Sequence, residues 1–449
     1  MFKKLLALLF VAVFSAVSGY AVKNYPPANQ WTILLARSLS KDIFELNGVP
    51  YLQPLVEVVN ATANSRFFSS AYVPKGTNNF YIKFGVNGMQ GFVPKNKKEY
   101  NPTLPVEPYD PSNTADLIQR LAPFLNVDIT TFPPTVAVKD TAGLIYYTFR
   151  LLMYDGVRKG KIKPPAVAPT ILGKGKTFLE IPHDTIRSLL NENPIFSLLP
   201  QTLRDTIYKS IESFPEKFDL PEGLNIRNIL AGIPQLEIGS LYGTELTLRF
   251  IPKINLGKNI GDFSFWGIGI RHSLSQYIQQ PFVDVAFQVA YQGTNLQNTI
   301  GVTNAKLNAN ANFFNANLHL SKRLSKNFEI YSGFSYEHLN INTDFTYYLP
   351  ITVQYQLGLI WLDDNGTPED YSDDFFRKNP ELGYNGDPYG PMVKNVVLSD
   401  NNLKFTLGVV ANFGNFATCL DYNIGKVNIL SFGLVYKFDL IKKKNGVDN

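Results

Sequence analysis

The side chains best equipped for chemistry in this sequence are Glu245, Arg249, Arg271, Asp284, Gln288, Glu329 and Glu337, with Ser335 among them. They fall into a two-residue rhythm. Leu246, Leu248 and Phe250 alternate with Glu245, Thr247 and Arg249, and Trp266, Ile268 and Ile270 alternate with Gly267, Gly269 and Arg271. Val283, Val285, Phe287, Val289 and Tyr291 alternate in the same way with Asp284, Ala286, Gln288 and Ala290. Such a rhythm places the polar set on one face of successive β-strands and the apolar set on the other. Charges held on one face either pair with each other or, for Arg249 and Arg271, grip a carboxylate through several donors.

Other chemical signals are weaker. Gly175–Lys176–Thr177 ends like a phosphate loop, but the upstream glycine of that motif is missing. His183, His272, His319 and His338 form no H-E-x-x-H pair, and no G-x-S-x-G surrounds Ser240, Ser264 or Ser335. Asp363, Asp364, Glu369, Asp370, Asp373 and Asp374 lack calcium-loop spacing and read as a solvated acidic loop. Cys419 has no partner and reads as a small buried hydrophobe. No catalytic residue, metal or cofactor is expected. Nucleic acid is not expected as a partner either, because the only lysine run, Lys442 to Lys444, lies past the last strand.

The elements that must position the polar face follow from composition. Of 449 residues, 18% are charged, below the roughly 25% of ordinary soluble domains, and 45% are hydrophobic. The formal net charge of +5 is small, and one cysteine excludes an intrachain disulfide framework. Residues 1–21 have a basic start, an apolar run from Leu5 to Val17 and small residues at Gly19 and Ala21, so they read as a signal peptide. No later apolar run reaches the length of a spanning helix. An exported chain of this kind crosses lipid, if at all, as a closed barrel.

Nine strands are legible between Gln235 and Phe438: Gln235 to Leu241, those around 248, 267 and 287, Asn304 to Leu320, Asn327 to Phe345, Leu403 to Phe413, Phe416 to Ile424, and Val427 to Phe438. Most are close to the ~9–11 residues a tilted spanning strand needs, longer than the five or six usual in a soluble sandwich. The fold class expected is an all-β antiparallel transmembrane barrel of about 12 to 14 strands, in which the N-terminal half supplies three or five. Residues 22–77 form a plug-like segment with helices at Trp31 to Phe44 and Val49 to Thr62, and residues 78–438 form the barrel. Within it, 155–234 is a helical, proline-rich insertion with helices at Thr185 to Leu190 and Pro200 to Phe214, and 346–402 is an acidic outer loop. Asn78 to Met89 and Ala137 to Tyr154 read as strands, and 439–449 as a tail. With the mature N-terminus and the end of the last strand on one side, Gly414–Asn415 and the turns near Ser325 and Ser275 share that side, and the long connections face outward.

One strand breaks the rhythm. In TNAKLNANANFFNANLHL, Asn308, Asn310 and Asn312 share a phase with Phe314, Ala316 and Leu318, so the polar phase changes at Phe313–Phe314. A β-bulge absorbs such a change, and a bulge there bends the wall into a lateral gate or merely adjusts curvature.

The blocks Pro234 to Leu236 (PQL), Tyr242 to Leu246 (YGTEL), Arg249 to Lys253 (RFIPK) and Trp266 to Ser273 (WGIGIRHS) resemble an uncharacterised family of predicted outer-membrane barrels from Bacteroidota and relatives. Tyr51 to Leu55 (YLQPL) and Pro169 to Gly173 (PTILG) are similar to its other blocks. More distantly the chain is similar to FadL/TodX-type channels for hydrophobic compounds. That resemblance implies fourteen strands, a lumen hatch and a kinked strand with a lateral exit. The function expected on this footing is passive outer-membrane uptake of small hydrophobic molecules such as fatty acids, with outer-membrane lipid and a hydrophobic ligand as partners. A structural or interaction barrel for a secretion or surface-attachment partner, and a membrane-embedded lipid hydrolase, stand as alternatives.

Overall fold

Alternating strands that turn one apolar face outward leave no unpaired sheet edge only when the sheet closes on itself, and here it does. The computed structural model describes residues 24–440 except 68, 76–79, 129, 131–134, 194–195, 256–260, 301–304, 368–371, 373 and 383–386. The expected signal peptide, nearly all of the tail and Glu369, Asp370 and Asp373 lie outside the described residues.

Among the described residues the barrel strands are β1 (Tyr81–Phe92), β2 (Asn228–Leu241), β3 (Thr244–Asn255), β4 (Asp262–Ser273), β5 (Asp284–Ile300), β6 (Ala305–Arg323), β7 (Phe328–Tyr347), β8 (Met392–Phe413), β9 (Phe416–Ile424) and β10 (Asn428–Asp439). Each pairs antiparallel with its sequence neighbour. The cylinder shuts where β10 meets β1, from Tyr81 opposite Asp439 to Phe92 opposite Asn428.

Ten strands replace the 12 to 14 expected from sequence. The nine C-terminal ones are present and the N-terminal half adds one. Ala137 to Tyr154 accounts for part of the excess, because most of it is helix. Leu144, Ile145, Phe149, Leu152 and Met153 are buried at helical spacing, and Asp140 caps the helix by accepting the Gly143 N–H at 2.9 Å.

The two N-terminal helices are one, α1 (Gln30–Ala63), which runs through Pro50 and Pro54. At a rise of ~1.5 Å per residue it is about 50 Å long, enough to pass from one end of the barrel deep into the lumen. Its start is tied to the long-connection end, where Asn24 and Leu362 exchange two hydrogen bonds and the Ala28 N–H donates to the Leu357 carbonyl. Its end reaches Arg249 inside the barrel, and the chain leaves past Ser240, which donates to the Pro74 carbonyl, before entering β1. Residue 24 and the end of β10 therefore lie at opposite ends of the cylinder. The shared side expected for them is corrected by this threading.

Connections 93–227 and 348–391 lie at one end and the tight turns at Tyr242–Gly243 and Gly414–Asn415 at the other. The first carries α2 (Thr114–Leu121), α3 (Thr141–Arg158), α4 (His183–Glu192) and α5 (Gln201–Glu212). Their buried residues, among them Leu152, Leu190 and Ile207, form one core with α1 and with Phe265, Phe313 and Leu339 of the upper inner wall. We refer to this assembly as the cap.

The cap core explains the rhythm change in β6. The register is unbroken, with Phe313 opposite Gln292 and Leu339 and Phe314 opposite Tyr291 and His338, so the expected bulge is absent. Phe313 points inward and is buried, whereas Phe314 points outward at 39% exposure. What changes at this level is the surroundings of the two faces. Below it the interior is polar (Asn315, Asn317, His319) and the exterior apolar (Phe314, Leu318). Above it the interior is apolar against the cap and the exterior carries Asn308, Asn310 and Asn312. Neighbouring β7 follows the same rule, with Asn340, Asn342 and Asp344 outward and Leu339 and Ile341 inward.

On β8 Val393 and Val397 alternate with Asn395, Ser399 and Asn401, while below them the unbroken exposed apolar face runs from Leu403 to Phe413. At ~3.3 Å per residue and a tilt near 40°, that is a belt about 25 Å high. Among the described residues no helix is long and apolar enough to cross a membrane.

Single cysteines test the unbroken register in a Cys419→Ala background. With the protein in lipid, Phe314→Cys should react with a bilayer-soluble maleimide, Asn312→Cys with a water-soluble one, and Phe313→Cys with neither. Equal labelling at 313 and 314 would restore the bulge.

Candidate functional site

The inward phase of β1 to β4 brings opposite charges together. Glu245 and Arg271 are cross-strand partners on β3 and β4, and they are joined by a hydrogen-bonded ion pair. Arg271 also lies 3.8 Å from Glu237, while Lys83 of β1 sits 2.9 Å from Glu237 and 2.8 Å from Glu245. The Tyr81 hydroxyl donates to Glu245 at 2.6 Å. Two cations thus balance two carboxylates where Glu245 and Arg271 are each 1% exposed. Burial on that scale is tolerable only with paired charges and satisfied hydrogen bonds.

Arg249 holds the plug. Its guanidinium donates to the Ala63 carbonyl at 3.0 Å and the Ser65 carbonyl at 2.9 Å, at the C-terminal end of α1, where backbone oxygens lack helical partners. It also donates to Gln235 at 2.8 Å and stacks 3.7 Å from the Phe67 ring centroid. Just past the helix, Arg66 adopts φ 62° and reaches Asp421 of β9 at 2.7 Å and the Tyr331 hydroxyl of β7 at 2.7 Å. Tyr331 donates to the same carboxylate at 2.7 Å. Lys404 of β8 joins Glu337 to Ser65, donating to the Ser65 hydroxyl at 3.0 Å.

Higher up, Asp400 accepts from Asn60 of α1 at 2.9 Å and from Lys426 at 2.6 Å. Glu329 accepts from Ser70 near the short-turn end. Two glycines make room for this filling. A Cβ at Gly91 would lie 2.6 Å from the Thr62 hydroxyl, and one at Gly433 would lie 2.6 Å from the Arg66 guanidinium.

Of the residues marked in the sequence, Glu245, Arg249, Arg271, Gln288, Glu329 and Glu337 are buried on the inner wall, and Asp284 is half-buried at the start of β5. Glu245 meets Arg271, and Arg249 meets the plug rather than a carboxylate. Lys83, Glu237, Lys404 and Asp421 were missed, although each lies in the inward phase of a strand read correctly. Following the inward phase through the whole of each of those strands would have found them. Arg66 had no such signal, because its segment belongs to no strand.

The lumen leaves little room for a ligand at this level. A cavity lined by Arg66, Lys83, Asn87, Gln235 and Glu237 has space for about one water molecule. No group of three or more metal-ligating side chains occurs among the described residues. His272 meets the Thr244 and Tyr277 hydroxyls at 2.9 Å each, His338 meets Asn401 at 2.9 Å, and His183 meets the Phe214 carbonyl at 2.6 Å. His319 is buried on the inner wall. Cys419 is buried beside Tyr331 and Val410.

Comparison with known proteins identifies a family without a function. Residues 2–438 match the family of unknown function DUF6588, and the chain belongs to it. No curated protein matches. Among solved structures the chain is similar to Ail, the attachment invasion locus protein of Yersinia pestis, at 11% identity, over 43% of this chain and 93% of that one, with a TM-score of 0.20. A closed antiparallel barrel with ten strands is nonetheless the kind of fold typical of outer-membrane proteins, and it differs from the fourteen strands and kinked wall implied by the FadL/TodX resemblance.

The Arg66–Asp421 pair gives a direct measure of how firmly the plug is held. Asp421→Leu strands a buried guanidinium and should lower stability by about 3–5 kcal/mol, read as a shift in the urea midpoint of the folded-barrel band on an unboiled gel. Arg66→Met combined with Asp421→Leu should recover most of that loss. Equal losses in the single and double variants would show that the pair does not anchor the plug.

Proposed function

We propose that this chain is an outer-membrane interaction barrel, a filled cylinder that holds a rigid helical cap on the outer side of the membrane for a secretion or surface-attachment partner. The observation that carries the reading is the tethering of α1 in the lumen by Arg249, Arg66 and Lys404. A helix fixed by buried charge-assisted bonds on several strands is an internal post rather than a loose stopper.

The membrane placement is supported by the apolar belt, whose height matches the ~25 Å outer band of such barrels. Tyr242, Tyr277, Phe282, Phe413 and Phe416 crowd the short-turn end at 60% exposure or more, as an interfacial aromatic girdle does. The outer position of the cap is supported by the general rule that the short turns of such barrels face the periplasm.

The uptake reading has less support. Uptake through the barrel needs an apolar pocket beneath the helical insertion, but cap side chains there pack against Phe265, Phe313 and Leu339. Below them, a hydrophobic molecule would meet buried ion pairs. The cap itself is braced. Arg150 of α3 lies 3.8 Å from Asp42 of α1 and 3.4 Å from Glu107, and Glu192 takes both Lys159 and Lys161. Hydrogen bonds from Lys161, Lys159 and Ser188 pull the Glu192 carboxyl down to about 2, so this exposed link stays charged in mildly acidic surroundings and is lost only as pH falls toward that value. No chemical step belongs to the reading.

Liposome flux separates the two functions. The intact protein should pass neither sucrose nor a long-chain fatty acid above the protein-free rate, and deletion of residues 24–66 should open a conductance in planar bilayers. Fatty-acid flux several-fold above background through the intact protein would favour the channel.

A further inference from the structure

We propose that the outer wall of β6 to β10 carries a binding site for one anionic glycerophospholipid, with an acyl chain in a wall groove and the phosphate against Lys322. The site rests on the membrane placement proposed above.

A groove of about 520 Å³ is cut into this wall, within the ~300–1,000 Å³ of ordinary small-molecule pockets. Strand pairing gives it a direction. Leu320, Ser332, Leu407, Tyr422 and Leu430 stand opposite one another in a single row from β6 across to β10. All belong to the outward phase, and Leu407, Tyr422 and Leu430 are 50%, 41% and 39% exposed.

Four interstrand steps of ~4.8 Å make the row about 19 Å long, close to the length of one extended acyl chain. The row climbs as it goes. It starts three residues before the short-turn end of β6 and finishes two residues into β10, next to the β9–β10 turn at the other end. A row perpendicular to strands tilted by ~35–45° must rise in this way. Ser332 is the smallest side chain in the row and sets its floor between Leu320 and Leu407. The surface thus describes an apolar channel entered from the periplasmic interface.

Lys322 stands at the entrance. It points outward one position below the row, opposite Ile330, and its ammonium lies 3.3 Å from the exposed Phe282 ring centroid. Lys326 is exposed on the adjoining turn. An outward cation costs ~2–4 kcal/mol at the bilayer midplane but ~0–1 kcal/mol near the interface, where phosphates lie. Cation, aromatic edge and apolar channel follow in the order of headgroup, glycerol and tail. The groove opens along its length onto the belt, which leaves room for the second chain of a diacyl lipid.

The test uses the full chain in phosphatidylcholine nanodiscs with trace spin-labelled phosphatidylglycerol, or spin-labelled stearate in parallel. The expected result is a motionally restricted phosphatidylglycerol component that falls about tenfold in Ser332→Phe, which fills the floor, and in Lys322→Glu. Val289→Phe on the outer face of β5 should leave it unchanged. Wild-type retention in Ser332→Phe, or stearate held as firmly as phosphatidylglycerol, would overturn the site. Barrel insertion is read separately from the folded-band mobility on an unboiled gel. Failure to insert would remove the membrane placement itself, whereas insertion without a restricted component would remove only the lipid site.

Discussion

Charge buried inside a narrow cylinder has to meet opposite charge or aligned dipoles, because water there is too scarce to solvate it. In this barrel the strands do not satisfy that condition alone. Lys83, Arg271, Glu237 and Glu245 balance each other on the wall. Arg249 and Asp421, in contrast, find their partners on the threaded segment, in the Ala63 and Ser65 carbonyls and the Arg66 guanidinium. Removing the segment would leave Arg249 with only the neutral Gln235 and Gln292 and Asp421 with only the neutral Tyr331 and Asn423, so that water would have to enter the lumen to solvate the two charges. Wall and plug are therefore one energetic unit, and the small residues at Gly91 and Gly433 are the steric counterpart of the same dependence.

The sequence makes the wall legible because the apolar exterior and the polar lumen fall on alternate residues. Nine strands, the inward placement of Glu245, Arg249 and Arg271, and the outward placement of Trp266, Ile268 and Phe287 all follow from period two. The strand total does not follow, since closure depends on which N-terminal runs pair, and Ala137 to Tyr154 could be read with either period until its packing was known. The tethering is illegible for another reason. Arg66 lies outside any repeating element, and its partner Asp421 is 355 residues away, so no local pattern links them.

The asparagine run in β6 shows where the two-face rule changes its content without changing its geometry. Period two reports only that neighbouring residues face different surroundings; it does not report which surroundings. At Phe313 the lumen becomes the floor of the cap core, and the outer wall turns from apolar side chains to amides. A phase change in hydrophobicity can therefore mark a solvent boundary as well as a bulge. Two adjacent strands help to distinguish them, since a boundary shifts both at the same height and a bulge shifts one. Here β7 exchanges faces beside β6, at Leu339 and Asn340.

The same boundary explains the unequal height of the wall. β5 to β8 have 17, 19, 20 and 22 residues, whereas β9, β10 and β1 have 9, 12 and 12. Pairing between β8 and β9 stops at Phe405 opposite Ile424, so among the described residues the upper part of β8 has a strand on only one side. An open strand edge invites pairing with other chains. Here α1 lies along it, with Gln53 donating to the Ser399 carbonyl at 2.8 Å and Glu45 taking Lys394 at 3.0 Å. One helix thus guards the free edge above the belt, joins the cap core beside it and anchors in the charged lumen below. The cap is thereby mechanically continuous with the barrel wall through that helix and its buried ion pairs. An emptied lumen would give up this mechanical continuity, and for that reason the filled interior fits an anchor better than a conduit.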